Sequence, residues 1–142
     1  MRLVKEYVSF GYPTKKIVND LIRKRGFLKK DDAKLPITDN NLIEELLGGD
    51  EDSDQGCICI EDIIDTIYKC FHAEHKETFY KIQKTLWPFQ LGSLKETIEE
   101  SNIKHEATGR EIRKKTTKVE KGGYIGFMGP NINEFIRPLI WI

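Results

Sequence analysis

Apolar side chains recur at helical spacing along several segments of the chain, and residues that start or stop helices bound these segments. The first twelve residues are aromatic and β-leaning, and Gly11 and Pro13 punctuate their end. Thr14 is an N-capping residue type, and Gly26 follows an apolar stripe that ends in basic side chains. This pattern predicts a helix over residues 15–25.

Residues 27–38 form a charged stretch with the character of a hairpin. Thr38 or Asp39 then caps a second predicted helix, which carries a leucine and isoleucine stripe and ends at Gly48-Gly49. The acidic residues 50–54 follow, and they are too polar to pack in a core.

Residues 57–60 are a short and wholly apolar run, which predicts a buried strand with both of its cysteines on one face. Glu61 and Asp62 lie where a helix N-terminus favours negative charge, and a third helix is expected there. A fourth helical pattern contains Ile82 and ends at Trp87-Pro88, because proline disfavours helix in the residue before it.

The last third of the chain is mostly polar. Residues 93–111 are weakly helical in pattern, and residues 112–130 are basic and then glycine-rich without periodicity. The sequence therefore predicts an extended basic arm over 112–130, followed by a short terminal helix over 131–142.

Composition and charge narrow the class of protein. The 142 residues suffice for one domain, or a domain and a tail. No apolar run approaches the roughly 18 residues of a membrane span, and the N-terminus lacks the apolar region of a secretory signal. Three cysteines, an odd number, disfavour a disulfide scaffold and suit a reducing compartment.

The formal net charge of zero conceals segregated signs. Residues 1–47 carry ten basic and seven acidic side chains, residues 48–78 two and nine, and residues 79–142 eleven and seven. Nucleic-acid binding depends on a local basic face rather than on the net charge of the chain. Two interpretations of the charged segments therefore remain: a nucleic-acid contact and ordinary solvated surface.

Candidate chemistry is sparse. The possible metal ligands Cys57, Cys59, Cys70, His72 and His75 do not match the common zinc spacings, and the favoured interpretation is buried structural cysteine. No nucleophile triad or phosphate loop is present in the sequence, so we predict no enzyme and no cofactor.

Two basic clusters are the stronger signal. The first comprises Arg23, Lys24, Arg25, Lys29 and Lys30. The second lies on the predicted arm and comprises Arg113, Lys114, Lys115 and Lys118. Flexible basic arms that order on RNA phosphates have this composition, and a solvated tail is the alternative.

Six short motifs follow one another along the chain: residues 7–13 (YVSFGYP), 21–26 (LIRKRG), 35–44 (LPITDNNLIE), 56–64 (GCICIEDII), 86–91 (LWPFQL) and 114–123 (KKTTKVEKGG). In this order they resemble the eukaryotic large-subunit ribosomal protein L-thirty/L-seven family. Ile132-Asn133 and Ile136-Arg137 resemble the terminal helix of that family.

The resemblance implies an α+β fold with a partial ferredoxin-like β-α-β-α-β core, additional helices and an extended basic C-terminal arm. It implies a core over residues 1–91 that lacks its N-terminal part, and a linker, arm and terminal helix over 92–142. Three features depart from the pattern of the family. The chain is expected to start inside the second helix of the core, residues 50–54 are an acidic insert, and residues 92–111 form a longer and more acidic link.

The function implied is a structural constituent of the large ribosomal subunit that binds ribosomal RNA through the two basic clusters. Its partners would be ribosomal RNA and neighbouring large-subunit proteins, with no membrane or small-molecule substrate. It would act in cytoplasmic ribosomes after nucleolar passage. Trp87 and Phe89 are expected to be packing residues, with base stacking as the alternative.

A related assembly factor that acts on precursor RNA in the nucleolus is the alternative function. Trp87 and the lysine-threonine motif of the arm favour the ribosomal protein, because the resemblance implies that the assembly factor tends to lack both features. A third hypothesis is an enzyme that uses the cysteine and histidine group.

Overall fold

The computed structural model describes residues 3–49, 56–69, 76–96, 98–99 and 117–141. The chain divides into two compact units. One is Thr14–Gln90, and the other combines Met1–Pro13 with Leu91–Ile142. The predicted domain boundary after residue 91 stays a prediction.

The first helix of the unit Thr14–Gln90, α1, spans Lys15–Arg25 as the sequence predicts. The Thr14 hydroxyl accepts a hydrogen bond from the backbone N–H of Ile17 at 3.4 Å, which caps the N-terminus. At the other end the Gly26 N–H donates to the carbonyl of Ile22. A Cβ at Gly26 would stand 2.2 Å from that carbonyl oxygen, so close approach of the backbone requires glycine here.

The predicted hairpin is confirmed in strands β1, Phe27–Lys30, and β2, Ala33–Pro36, which pair antiparallel. Lys30 pairs with Ala33, so the loop contains only Asp31 and Asp32. Both have positive φ, 49° and 62°, as a type I′ turn requires.

The described residues of this unit contain three more helices. The helix α2 spans Asn40–Leu47, and Asp39 rather than Thr38 provides its cap by accepting from the N–H of Asn41. The helix α3 spans Ile60–Tyr68, and α4 spans Lys76–Thr85, which ends before Trp87-Pro88 as predicted. The acidic residues 50–54 lie outside the described residues.

The predicted strand over residues 57–60 is wrong. Residues 57–59 are coil that leads into α3, Cys59 is its N-terminal flanking residue, and Ile60 is its first residue. Asp62 accepts hydrogen bonds from the N–H groups of Ile58 and Cys59, which favours the helix start over a strand. Cys57 is buried, whereas Cys59 is only half-buried, so the two cysteines are not equivalent core residues.

One core cluster joins these elements. It is built from buried side chains of α1, β1, α2, α3 and α4 together with Ile37 and Cys57. Phe89 packs against it, which confirms its predicted packing role.

The other unit contains a short parallel ladder. Its strands are Ser9–Gly11, which we call β0 because it precedes β1 in the chain, and Gly126–Gly129, which we call β3. A terminal helix, α5, spans Ile132–Trp141, as predicted. A second cluster of buried side chains comprises Met128 of β3 and Ile132 of α5 together with Tyr124 and Ile98.

The prediction of an extended arm is wrong for residues 117–130. A 3-10 turn at Val119–Lys121 precedes β3, and Tyr124 and Met128 are buried. Glycines that resemble a linker in the sequence have defined places instead: Gly122 ends the 3-10 turn with a φ of 82°, and Gly126 and Gly129, with φ values of 112° and 57°, begin and end β3. Residues 112–116 lie outside the described residues.

The described residues thus confirm the α+β class, with one antiparallel and one parallel pair of strands. Within those same residues, no helix has the length and apolar character needed to cross a membrane.

Candidate nucleic-acid interface

The β1–β2 hairpin presents two lysines on its outer side. Lys29 pairs directly with Lys34 across the ladder, and Phe27 pairs with Pro36. Because side chains alternate along a strand, these four residues share one side of the hairpin, which we call the hairpin face. Leu28 points to the other side and is fully buried.

The lysines of the hairpin face are held by neighbouring groups. The Lys34 ammonium lies 4.2 Å from the centre of the Phe27 ring and 3.3 Å from the side-chain oxygen of Gln90. Lys29 pairs with Asp32 at 3.1 Å, although Asp32 is almost fully exposed. Like charges directly opposite each other destabilise a sheet, so an anion between the two lysines would relieve an unfavourable contact.

The segment after α4 runs along the same hairpin. The N–H of Trp87 donates to the carbonyl of Phe27 at 2.8 Å, and the backbones of Leu86 and Leu28 form an isolated antiparallel β-bridge. Trp87 is half-buried, so its ring is only partly taken up by packing.

Lys30 does not belong to the hairpin face, although the sequence grouped it with Lys29. It lies on the side of Leu28 and donates to a carboxylate oxygen of Glu45 on α2 at 2.6 Å. This hydrogen bond raises the pKa of Lys30. Lys34 takes its place beside Lys29, and sequence reasoning missed it because the position of the two-residue turn decides the pairing.

Arg23, at the end of α1, is exposed but engaged by two acceptors. Its Nε donates to the Asn19 side-chain oxygen at 2.8 Å, and a terminal nitrogen donates to Glu61 on α3 at 2.5 Å. The pKa of Glu61 is lowered, first by a hydrogen bond from its own backbone N–H and then by Arg23. Lys24 is exposed and Arg25 is half-buried.

The second predicted cluster is only partly described. Arg113, Lys114 and Lys115 lie outside the described residues. Lys118 is exposed beside the 3-10 turn, and its backbone forms an isolated parallel β-bridge with Ile125. Its ammonium nitrogen lies 3.8 Å from a carboxylate oxygen of Glu6.

The cysteine and histidine group is also only partly described. The Cys57 sulfur lies 4.0 Å from the Thr66 hydroxyl, and burial raises the pKa of this thiol. Cys70, His72 and His75 lie outside the described residues. Within the described ranges, no group of three or more His, Cys, Asp or Glu residues is arranged to hold a metal ion.

Known proteins resemble the chain along most of its length. It is 36% identical to the large ribosomal subunit protein uL30A of Schizosaccharomyces pombe over 137 residues, which is 96% of the chain and 46% of the yeast protein. It is 32% identical to uL30 of Caenorhabditis elegans over 140 residues, which is 99% of the chain and 48% of the worm protein. The chain is homologous to the uL30 proteins of the large ribosomal subunit. The resemblance inferred from its motifs is thereby confirmed.

The uL30 protein of Dictyostelium discoideum is 41% identical over 91 residues, or 64% of the chain and 33% of that protein. The chain thus spans about half the length of the uL30 relatives in yeast and worm, and a third of the amoebal one is matched. No family model matches the chain.

Proposed function

We propose that the chain is a structural constituent of the large ribosomal subunit that binds ribosomal RNA and catalyses no reaction. Its homology to uL30 proteins supports the class of function. The observation that carries the RNA contact is the opposed pair Lys29 and Lys34 on the hairpin face.

The hairpin face suits a phosphate backbone. Two ammonium groups on neighbouring strands approach one anion or two successive ones, and such contacts fix position without reading bases. Lys34 over Phe27 keeps its charge near the surface at little conformational cost.

The remaining predicted contacts form part of this proposal with different weights. Arg23 already has Glu61 as a partner, so RNA would compete for it. Lys30 lies 2.6 Å from Glu45, closer than the 3.1 Å between Lys29 and the almost fully exposed Asp32, so it contributes less than Lys29. The other members of the two basic clusters keep their proposed role: Lys24, Arg25, Arg113, Lys114, Lys115 and Lys118.

The proposal extends to the setting of the chain. Neighbouring large-subunit proteins are the proposed protein partners, and cytoplasmic ribosomes, with nucleolar passage during assembly, are the proposed location. The α+β units would correspond to a partial ferredoxin-like core of the L-thirty type with a basic segment toward the C-terminus.

The test compares two double variants that remove equal charge. Lys29→Ala/Lys34→Ala removes the hairpin face, and Lys16→Ala/Lys84→Ala removes exposed lysines of α1 and α4. The affinity for large-subunit ribosomal RNA is measured against salt concentration. We expect the hairpin variant to lose roughly 1.4 to 1.8 units of slope, at roughly 0.7 to 0.9 per phosphate contact, and the control to lose much less.

Equal slopes in the two variants would contradict the hairpin face as the RNA contact. A second measurement addresses the class of function, because a tagged full chain should co-sediment with mature large subunits. Association with precursor particles alone would favour the assembly factor.

A further inference from the structure

The parallel ladder β0–β3 has two unlike sides. On one side Tyr124, Met128 and Ile132 are buried in a core cluster. The other side carries Phe10, Tyr12 and Phe127, which we call the aromatic face.

The rings of the aromatic face contact each other and remain accessible. Phe10 pairs with Phe127 across the ladder, with ring centres 5.6 Å apart, and Tyr12 meets Phe127 edge-on at 5.4 Å. Phe127 is nevertheless 49% exposed and Tyr12 is 62% exposed.

Phe127 also lines a groove with positive groups. This groove has a volume of about 500 Å³, and Lys5, Lys118, Val119 and Ile125 are among its lining residues. Glu6 and Glu120 line it too, and Glu6 lies 3.8 Å from the Lys118 ammonium. Both lysines are exposed, so a phosphate can reach each of them, and at Lys118 it would take the place of Glu6.

We propose that the aromatic face stacks an unpaired RNA base on Phe127, with Lys5 and Lys118 beside the phosphates of that nucleotide. This inference rests on the proposed RNA-binding function and adds a second kind of contact to it. The hairpin face holds backbone, whereas the aromatic face would hold a base that has left a duplex.

The size of the surface favours a base over a protein partner. A large aromatic side chain offers roughly 150–250 Å², so the exposed parts of Tyr12 and Phe127 together offer on the order of 200 Å². A standard protein interface needs about 800 Å² on each partner. One or two stacked bases match the smaller surface.

The mixed charge of the groove determines what kind of binding to expect. Two carboxylates offset two lysines, so stacking rather than counterion release should supply most of the affinity at this site. Loss of the aromatic face should therefore weaken binding at every salt concentration and leave the salt slope unchanged.

The experiment uses the full chain and two probes of equal length, a single-stranded oligouridine and the same strand with abasic nucleotides. Phe127→Ala removes the stacking ring, and Phe127→Trp keeps a flat ring. Tyr7→Ala is the matched control, since Tyr7 is 79% exposed in the same unit and lies outside the aromatic face. Thermal unfolding of each variant checks that it is folded.

We expect Phe127→Ala to lose about 5- to 150-fold in affinity for oligouridine, at an unchanged salt slope, with Phe127→Trp within about threefold of the parent. All variants should bind the abasic strand equally. If Phe127→Ala and Tyr7→Ala both bind oligouridine as the parent does, the aromatic face holds no base. If Phe127→Ala does not fold, Phe127→Trp decides, because a loss of more than tenfold in that folded variant overturns the proposal.

The two proposals fail in different ways. An unchanged Phe127→Ala affinity beside a reduced salt slope in Lys29→Ala/Lys34→Ala overturns the stacking site and leaves the proposed function intact. Absence of RNA binding by the parent chain overturns the proposed function itself.

Discussion

Adjacent residues of β1 have opposite roles, and this separates stability from binding. Leu28 is fully buried in the core cluster, whereas Lys29 next to it is exposed on the hairpin face. We expect Leu28→Ala to cost about 2–5 kcal/mol of unfolding free energy, because it leaves a cavity. Lys29→Ala should change it by less than about 0.5 kcal/mol while weakening RNA binding. Urea unfolding and RNA titration of both variants measure the two effects, and a large stability loss in Lys29→Ala would show that its role is structural.

The Glu61 carboxylate gives stability an acid-side dependence on pH. Its pKa in the folded chain lies below its usual value, owing to its own backbone N–H and to Arg23. A lowered pKa means that this contribution is present above the unfolded-state pKa and is lost as the pH falls through the folded-state pKa. Glu61→Gln should therefore show a smaller fall in urea midpoint between about pH 5 and pH 3 than the parent. The difference will be small because the ion pair is solvated, and an identical fall in both proteins would contradict the assigned role.

At the scale of elements, both residues of the hairpin turn carry a Cβ, although the positive φ of the turn favours glycine. Asp31 and Asp32 both have positive φ, where glycine and asparagine are less strained. Asp32→Gly should be more stable than Asp32→Ala by about 0.5–1 kcal/mol, since both remove the same charge but only alanine keeps a Cβ. Urea unfolding gives the comparison, and equal midpoints would mean that the turn relaxes to another conformation.

Residues close together in the sequence determine where the helices of this chain begin. This is why the helices could be predicted. Thr14 and Asp39 accept from backbone N–H groups of the first turn, and these are local contacts. The strand predicted over residues 57–60 is wrong because an apolar run of this length suits a strand and a helix start equally. The hydrogen bond that Asp62 accepts from the Ile58 N–H favours the helix start.

The candidate site was only half predictable for a related reason. Lys29 is recognisable as one of a basic pair, but its true neighbour Lys34 depends on the register of the hairpin. A two-residue turn at Asp31-Asp32 is enough to fix that register. The sequence predicts a hairpin in this stretch but not the position of its turn, because Asp31-Asp32 lacks the glycine of the strongest two-residue turn signals.

For the whole molecule, the pairing of β0 with β3 joins segments from opposite ends of the chain. A parallel pair of strands from distant segments has no local sequence pattern. The sequence of residues 117–130 therefore predicts an arm rather than a strand. Three of their glycines, Gly122, Gly126 and Gly129, have positive φ, and the aromatic face exists only once the two strands meet.

The distribution of charge over the whole chain leads to a final prediction, which separates its two basic regions. Arg113, Lys114 and Lys115 lie in sequence just before the folded Lys118 and form a cluster distinct from the hairpin face. If each neutralises one phosphate, Arg113→Ala/Lys114→Ala/Lys115→Ala should lower the slope of log affinity against log salt by roughly 2 to 3 units. Because the residues belong to separate contacts, this loss should add to that of Lys29→Ala/Lys34→Ala in the combined variant.

The control for this measurement is Lys16→Ala/Lys76→Ala/Lys84→Ala, which removes the same charge from exposed helix positions. Preference among RNA sequences should hardly change in either triple variant, because phosphate contacts set position rather than sequence choice. A parent-like slope in the arginine and lysine variant would assign residues 113–115 to solvent and leave the hairpin face as the main electrostatic contact. A slope loss equal to that of the control would show instead that RNA responds only to the net charge of the chain.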